Sequence, residues 1–339
     1  MVSIKDVAAD AGVSFSTVSI VLGQRSDKLK ISDAVRKQVF ESAQRLGYCR
    51  NSLASQFQSG KTRGIAFLSC ERSEYVMEIF SGVVNQAQQC GYYCKFYEVQ
   101  LQPADAVHRQ YEELLGTRPA ALIIHSATFE REYLLRQAAL LRIPVGCVDR
   151  IPEESIPVKV LSDSVAGMLN MVNHVVEFGH KRIGFASVAL DKWEFARLRF
   201  NGYEAGMKSH GLAVNPDWIC DGLETIEPFL MKCKEHPESM PTAICCASDY
   251  IALNLVMLAQ KIQLTIPGDI SITGYGALKF CDFMVPKLTS VDQQFSQLGA
   301  VVTRHLIECI TNKDCASRIC EVQTLLKIGE SVTSPRQES

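Results

Sequence analysis

The chain has 339 residues, 47% of them hydrophobic and 21% charged, with a formal net charge of −2. That length calls for two or three domains, and the composition is that of a soluble globular protein. No apolar stretch approaches the roughly 20 residues of a membrane span, and the opening MVSIKDVAAD lacks the apolar core of a signal peptide, so a cytoplasmic protein without a membrane partner is expected.

Charge is unevenly placed. Residues 1–63 hold ten Lys and Arg against five Asp and Glu, whereas the remainder is acidic. A basic N-terminal module on an acidic body suits phosphate binding. The thirteen cysteines are odd in number and form no CxxC pair. With Cys245 and Cys246 inside the apolar run AICCA, they read as reduced, structural residues, and neither a metal nor a cofactor is implied.

The first 46 residues read as three short helices. Ser3 caps the first, which runs to about Asp10, with Asp6 placed as in a capping box and Val7, Ala8 and Ala11 inward. Gly12 breaks it. Ser14 caps a second helix through Leu22, with Val18, Val21 and Leu22 inward. Ser32 caps a third, in which Val35, Val39, Ala43 and Leu46 recur at helical spacing before Gly47 ends it. Two helices joined by a glycine turn, with Phe15 and Ser16 turned outward, form a helix-turn-helix that can present those side chains to a DNA groove. Residues 48–62, YCRNSLASQFQSGKT, are polar, with helix formers for about two turns, and so short a helix is marginal alone.

The body contains an internal repeat. Ile65-Ala66-Phe67-Leu68-Ser69 resembles Ile183-Gly184-Phe185-Ala186-Ser187, and Gly82 and Gly91 share the spacing of Gly202 and Gly211. Pro119 to Ser126, PAALIIHS, resembles Pro241 to Ser248, PTAICCAS, and Ile143-Pro144 matches Ile266-Pro267. Each copy alternates short apolar strands with amphipathic helices, the rhythm of a parallel sheet covered on both faces. Two such lobes place a ligand between them, beyond the carboxyl ends of the strands. Those ends are Ser69, Ser126, Asp149 and Arg150 in the first copy, and Ser187, Ser248, Asp249 and Tyr275 in the second.

An enzyme built on such a sheet would need a nucleophile–base set or a nucleotide loop. Ser59-Gly60-Lys61-Thr62 imitates the end of a P-loop but lacks glycine at position 55 and a preceding apolar strand. His174 and His180 are six apart, wrong for a shared helical face. No enzyme is expected.

The stretch Ile4 to Ser19, IKDVAADAGVSFSTVS, closely resembles the head of LacI/GalR-family regulators. The likeness continues through VFESAQRLGYCRN (39–51), EFGHKRIGF (177–185), ARLRFNGY (196–203) and PGDISITGY (267–275). It implies an all-α helix-turn-helix head (1–48), a hinge helix and linker (49–62), and an α/β body of two doubly wound parallel-sheet lobes, periplasmic-binding-protein-like. The lobes would be 63–162 with 294–326, and 163–293, leaving a tail at 327–339. The implied protein is a repressor that binds a pseudo-palindromic double-stranded DNA operator and is modulated by a small-molecule effector. A two-fold site calls for a homodimer. No heptads follow Ile328, so dimers rather than tetramers are expected.

The resemblance also implies site residues. Phe15, Ser16 and Ile20 would lie at the major groove, with Ser14, Thr17 and Ser19 also DNA-binding, while Lys5, Arg25, Lys28, Lys30, Arg36 and Arg50 are candidates for phosphate contacts. Asn51, Ala54 and Phe57 would belong to the hinge, with Phe57 wedged into the minor groove. Family members usually carry Arg, Leu and Pro where this chain has Ile20, Phe57 and Arg50. Ile20 either offers an apolar contact to a thymine methyl or packs inward beside Val21 and Leu22. In the cleft, the resemblance adds Arg197, Tyr75 and Phe295 to Ser126, Asp149, Arg150, Ser248 and Asp249. Arg197 is a pocket residue or a surface charge, Asp249 a ligand contact, a helix cap or both, and Tyr75 a lining or a cover. Ser248 replaces an Asn, and Gly276 replaces an Asp that sugar-binding members present. A sugar is expected first and a purine second; a regulator without a small effector is the other reading.

Overall fold

The computed structural model describes residues 2–22, 31–49, 62–125, 129–148, 156–312 and 317–336. They fall into two units, Met1–Thr62 and Arg63–Ser339. Among the described residues no helix is long and apolar enough to cross a membrane.

The first unit contains α1 (Ile4–Asp10), α2 (Phe15–Leu22) and α3 (Asp33–Arg45). Each begins where a short hydroxyl side chain can satisfy an orphan backbone amide. Ser3 and Asp6 form a complete capping box, Ser14 Oγ accepts from the Thr17 amide at 3.1 Å, and Ser32 accepts from that of Val35. Gly12 turns the chain at φ +59°. Val7, Ala11, Val18, Val21 and Val39 then meet in a core with almost no exposure. Asp10 fastens α1 to α3, accepting from Ser42 Oγ and Arg45 Nη2, each at 2.5 Å. Those two donors hold its carboxyl below the usual carboxylate range.

The second unit is two lobes. Lobe one contains β1 (Gly64–Ser69), α4 (Glu74–Gln89), β2 (Tyr93–Glu98), α5 (Ala104–Gly116), β3 (Ala121–His125), α6 (Arg131–Leu140), β4 (Val145–Val148) and β5 (Val158–Ser162). The chain then passes through α7 (Ser164–Glu177) into β6 (Ile183–Ser187), α8 (Glu194–Ser209), β7 (Ile219–Asp221), α9 (Ile226–Glu235), β8 (Ala243–Cys246), α10 (Asp249–Lys261), β9 (Ser271–Gly276) and β10 (Thr289–Asp292). Last come α11 (Phe295–Asn312), β11 (Arg318–Val322) and β12 (Leu325–Lys327).

The sheets run β11-β5-β4-β3-β1-β2 and β12-β10-β9-β8-β6-β7. Taking β1 with β6, β2 with β7 and so on, the two orders are identical, so the sequence repeat is a structural repeat. Phe67 and Phe185, repeat partners, are both fully buried. Gly82 and Gly202 are partners too. A Cβ on Gly82 would collide with the Ser296 carbonyl of α11, and one on Gly202 with the Val165 carbonyl of α7. Each glycine lets a helix that has crossed from the other lobe lie directly on its neighbour: α11 on α4, α7 on α8.

Three links join the lobes: β5 to α7, β10 to α11 and β11 to β12. All leave from the carboxyl ends of strands. Both sheets are parallel as expected, with one exception at an edge, and one boundary needs correction. β12 pairs antiparallel with β10, because a strand that leaves one sheet at its carboxyl edge and enters the facing sheet at the same edge must run the other way. Residues 327–336 are also no tail. Ser331 is fully buried, donating to the Ile272 carbonyl at 2.5 Å and accepting from the Thr289 amide at 2.9 Å, while the Thr333 carbonyl lies 2.7 Å from His180 Nε2. This segment belongs to lobe two. The reading of all cysteines as reduced also fails at one place, since Cys309 is disulfide-bonded; an odd count argues against a disulfide scaffold, not against one bridge.

Candidate functional site

In the head, the first turn of α2 faces outward. Phe15 is 54% exposed, Ser16 and Ser19 are exposed, and Thr17 and Ile20 are half-buried, while Val18 and Val21 face the core. Leaving a Phe side chain more than half in water is unfavourable, and Phe40 of α3 is as open, at 53%. The Ser14 hydroxyl is occupied in capping and also lies 2.8 Å from the Ser16 and Thr17 hydroxyls. Lys5 is exposed on α1. Arg25, Lys28, Lys30, Arg50, Asn51, Ala54 and Phe57 lie outside the described residues.

In the body, a cavity of about 390 Å³ opens between the lobes, at the carboxyl ends of the strands. Lobe one contributes Tyr75 from α4, His125 from β3, Ser162 from β5 and Phe295 from α11. Tyr75 and Phe295 are ring neighbours at 5.4 Å, and Tyr75 meets His125 edge-on at 5.6 Å. His125 is fully buried, its Nδ1 3.2 Å from Ser69 Oγ. Lobe two contributes Phe195, Arg199, Ser248, Asp249, Tyr250, Tyr275 and Gln293.

Arg199 is the buried cation of this cleft, which Arg131 also lines. Only 7% exposed, it donates to the Ala247 carbonyl at 2.6 Å and to Gln293 Oε1 at 3.0 Å. Its guanidinium lies 3.9 Å over the Tyr275 ring and 5.0 Å from that of Phe195. Stacking and hydrogen bonds together fix the plane of this guanidinium. Burial pushes the Tyr275 hydroxyl upward, against the nearby Arg199 charge, so it stays a neutral phenol.

Arg197 does not reach the cleft. It is 63% exposed and 3.8 Å from Glu194 on the helix surface. Two residues of α-helix turn about 200°, so Arg197 and Arg199 face opposite ways. The correct choice was readable from spacing, because Ala196, Arg199 and Tyr203 form the buried stripe of α8.

Asp249 borders the cavity, but its carboxylate is spent on the protein. Oδ1 accepts from Ser290 Oγ at 2.5 Å and Oδ2 from the Leu278 amide at 2.8 Å. Burial raises its pKa, while Ser290, Leu278, Cys281 and Arg199 pull the other way. It is not the cap of α10; that is Ser248, whose Oγ accepts from the Ile251 amide. Gly276 is explained by the same carboxylate. A Cβ there would stand 2.8 Å from Asp249 Oδ2, at a φ of +139°, so an acidic side chain at 276 would be strained and crowded against a buried acid.

At the cleft rim, Glu74 and Glu78 of α4 reach across to lobe two. The Lys279 amide donates to Glu74 Oε1 at 2.6 Å and Lys279 Nζ lies 3.2 Å from Glu78 Oε1. Ser126, Asp149 and Arg150 lie outside the described residues. The sequence reading missed His125, Gln293 and Phe195. Each sits at a strand end or on the inward stripe of a helix, where the repeat gives the address but not the side chain's part.

Residues 3–51 match the model for bacterial regulatory proteins of the lacI family, and residues 172–332 match that for the periplasmic binding protein-like domain. The HTH-type transcriptional repressor PurR of Histophilus somni (strain 2336) is 29% identical over 341 residues, covering 98% of this chain and 99% of the relative. Among solved structures, the lac repressor dimer bound to operator and the anti-inducer ONPF superposes with a TM-score of 0.76 at 22% identity, over 98% of this chain and 99% of that one. The complex of the transcriptional regulator CelR with cellobiose superposes with a TM-score of 0.68 at 21% identity, over 98% and 100%.

Proposed function

The chain belongs to the lacI family of bacterial regulatory proteins, and from that premise we propose how its two units divide the work of a repressor. It is a DNA-binding transcription regulator that acts as a dimer on operator DNA and responds to a small molecule held between its lobes. The observation that carries the DNA half is the outward first turn of α2, with Phe15 exposed beside Ser16 on a head whose core is otherwise closed. Phe15, Ser16 and Ile20 read base edges, Ile20 through an apolar contact such as a thymine methyl; Lys5, Arg25 and Arg50 meet phosphates. Phe57 wedges the minor groove at the operator centre. The protein works in the cytoplasm. Selection from random DNA should return a symmetric site, with affinity falling steeply as salt rises. An asymmetric site, or binding indifferent to salt, would overturn this.

In the cleft, Arg199 and Gln293 orient the polar edge of the effector, and Tyr75 with Phe295 cover its flat side. This suits a sugar ring, whose apolar face stacks on aromatics. A purine is the second reading, favoured by further rings, Phe195 and Tyr250, along the opposite wall. Arg199→Ala should abolish the effector response while effector-free protein still binds operator. Calorimetry against sugars and nucleobases identifies the class, and a normal response in the variant would refute the assignment.

A further inference from the structure

Outside the cleft, four polar side chains converge on the far edge of the first sheet. Cys320 lies on β11, the edge strand, and α11 packs behind it. Its Sγ is 3.4 Å from His305 Nε2. The other ring nitrogen, Nδ1, is 3.2 Å from Glu308 Oε2. Arg318 Nη1 donates to the same Glu308 oxygen at 2.6 Å and lies 3.2 Å from Nδ1. The order is thiol, imidazole, carboxylate, with a guanidinium holding the carboxylate. With its proton on Nδ1 facing Glu308, the imidazole leaves Nε2 to accept the thiol proton, and Glu308 stabilises the imidazolium that results.

The group is reachable from solvent. The side chain of His305 is 18% exposed and that of Glu308 41%, and Cys320 is half-buried. Lys159 and Glu321 are the nearest other charges in strand register, and alternation puts both on the opposite face of the sheet. Three thiols elsewhere sit in surroundings that suppress ionisation: burial pushes Cys245 and Cys233 up to about 12 and Cys94 likewise.

We propose that Cys320 is a modification site, a thiol activated by His305 that is oxidised by small hydroperoxides to a sulfenic acid. The thiol proton passes to His305 Nε2. The sulfur then attacks one peroxide oxygen, forming an S–O bond and breaking the O–O bond. The departing oxygen leaves with the bonding pair, takes the proton from His305 and becomes water or an alcohol. Sulfur is oxidised by two electrons and the peroxide is reduced by two. Glu308 is a positioning residue and Arg318 restrains it. The site lies four residues before the link from Thr324 into β12, so an added oxygen there bears on one of the three connections between the lobes.

The test uses the intact protein and needs no variant to begin. Alkylation by iodoacetamide, read peptide by peptide by mass spectrometry, compares Cys320 with the exposed Cys49 in the same molecule. At about pH 6.5 Cys320 should react at least about tenfold faster than Cys49. Hydrogen peroxide followed by dimedone should place the sulfenic adduct on Cys320. In His305→Gln the advantage over Cys49 should vanish, and Glu308→Gln should reduce it while shifting the pH profile. Equal rates for the two thiols, no dimedone adduct at Cys320, or a folded His305→Gln protein with undiminished reactivity would each overturn the proposal.

Discussion

Lobe one closes its sheet with a strand that runs parallel to its neighbour, whereas lobe two closes its own with one that runs against it. Up to that point the lobes agree strand for strand, and even in the glycine that admits a helix from the opposite lobe. The inner strands are tied by helical crossovers, whose right-handedness fixes their direction. The edge strand lacks that constraint, so it could be taken by whatever chain arrived, from whichever side. The duplicated frame is therefore rigidly specified inside and free at one edge. Lobe one carries the Cys320 cluster at that edge, and in lobe two the chain leaving the edge strand runs on as the 328–336 segment against β9 and β10.

If the inner frames are equivalent, equivalent lesions should cost the same. Phe67→Ala and Phe185→Ala should each lose about 3–5 kcal/mol in denaturant titrations. Costs that differ by more than half would mean that the repeat is one of pattern and not of packing. The helix seams should rank differently, since a Cβ at Gly82 penetrates its carbonyl neighbour further than one at Gly202. Gly82→Ala should therefore cost about 3 kcal/mol, more than Gly202→Ala; the reverse order would place the tighter seam in lobe two.

The edge difference predicts a lesion confined to lobe two. Ser331→Ala strands the Ile272 carbonyl and the Thr289 amide in a buried place, a loss of about 2 kcal/mol. Hydrogen exchange should rise in β9 and β10 before β3 and β4, and a uniform rise would dissolve the distinction. The smallest effect is one of pH. Burial lowers the pKa of His174 and of His180 below the ordinary 6.5. The unfolded chain then takes up protons that the fold resists, so stability present above that value is lost as pH falls through the lowered ones. Denaturation midpoints should drop between about pH 7.5 and about pH 5.5, and less steeply in His180→Gln; an unchanged slope would remove His180 from the account.

Much of this architecture is legible in the residues. Helix caps at Ser3, Ser14 and Ser32 are local chemistry, and local chemistry is written in adjacent letters. The repeat is legible too, because Ile65 to Ser69 and Ile183 to Ser187 meet the same surroundings. The site was harder. Choosing Arg197 over Arg199 followed motif position when the helical stripe pointed to the other arginine. Asp249 looked available because nothing in the sequence announces that Ser290 and the Leu278 amide, dozens of residues later, will occupy both its oxygens. The reversal of β12 was equally hidden, since direction there depends on which edge of the facing sheet the chain enters.

The three links between the lobes carry a consequence for the order in which the protein is made. Lobe one cannot be finished when its first five strands have emerged. Its sixth strand and the helix that lies on α4 are encoded after β10, so the ribosome must first deliver all of α7 through β10. At about 5–20 residues per second that is a wait of roughly ten seconds. During it the α4 face around Gly82 and the outer edge of β5 stand open, and an open parallel edge invites pairing with another nascent chain. A cell making this protein faces its greatest risk of misassembly in that interval, before any effector or operator is involved.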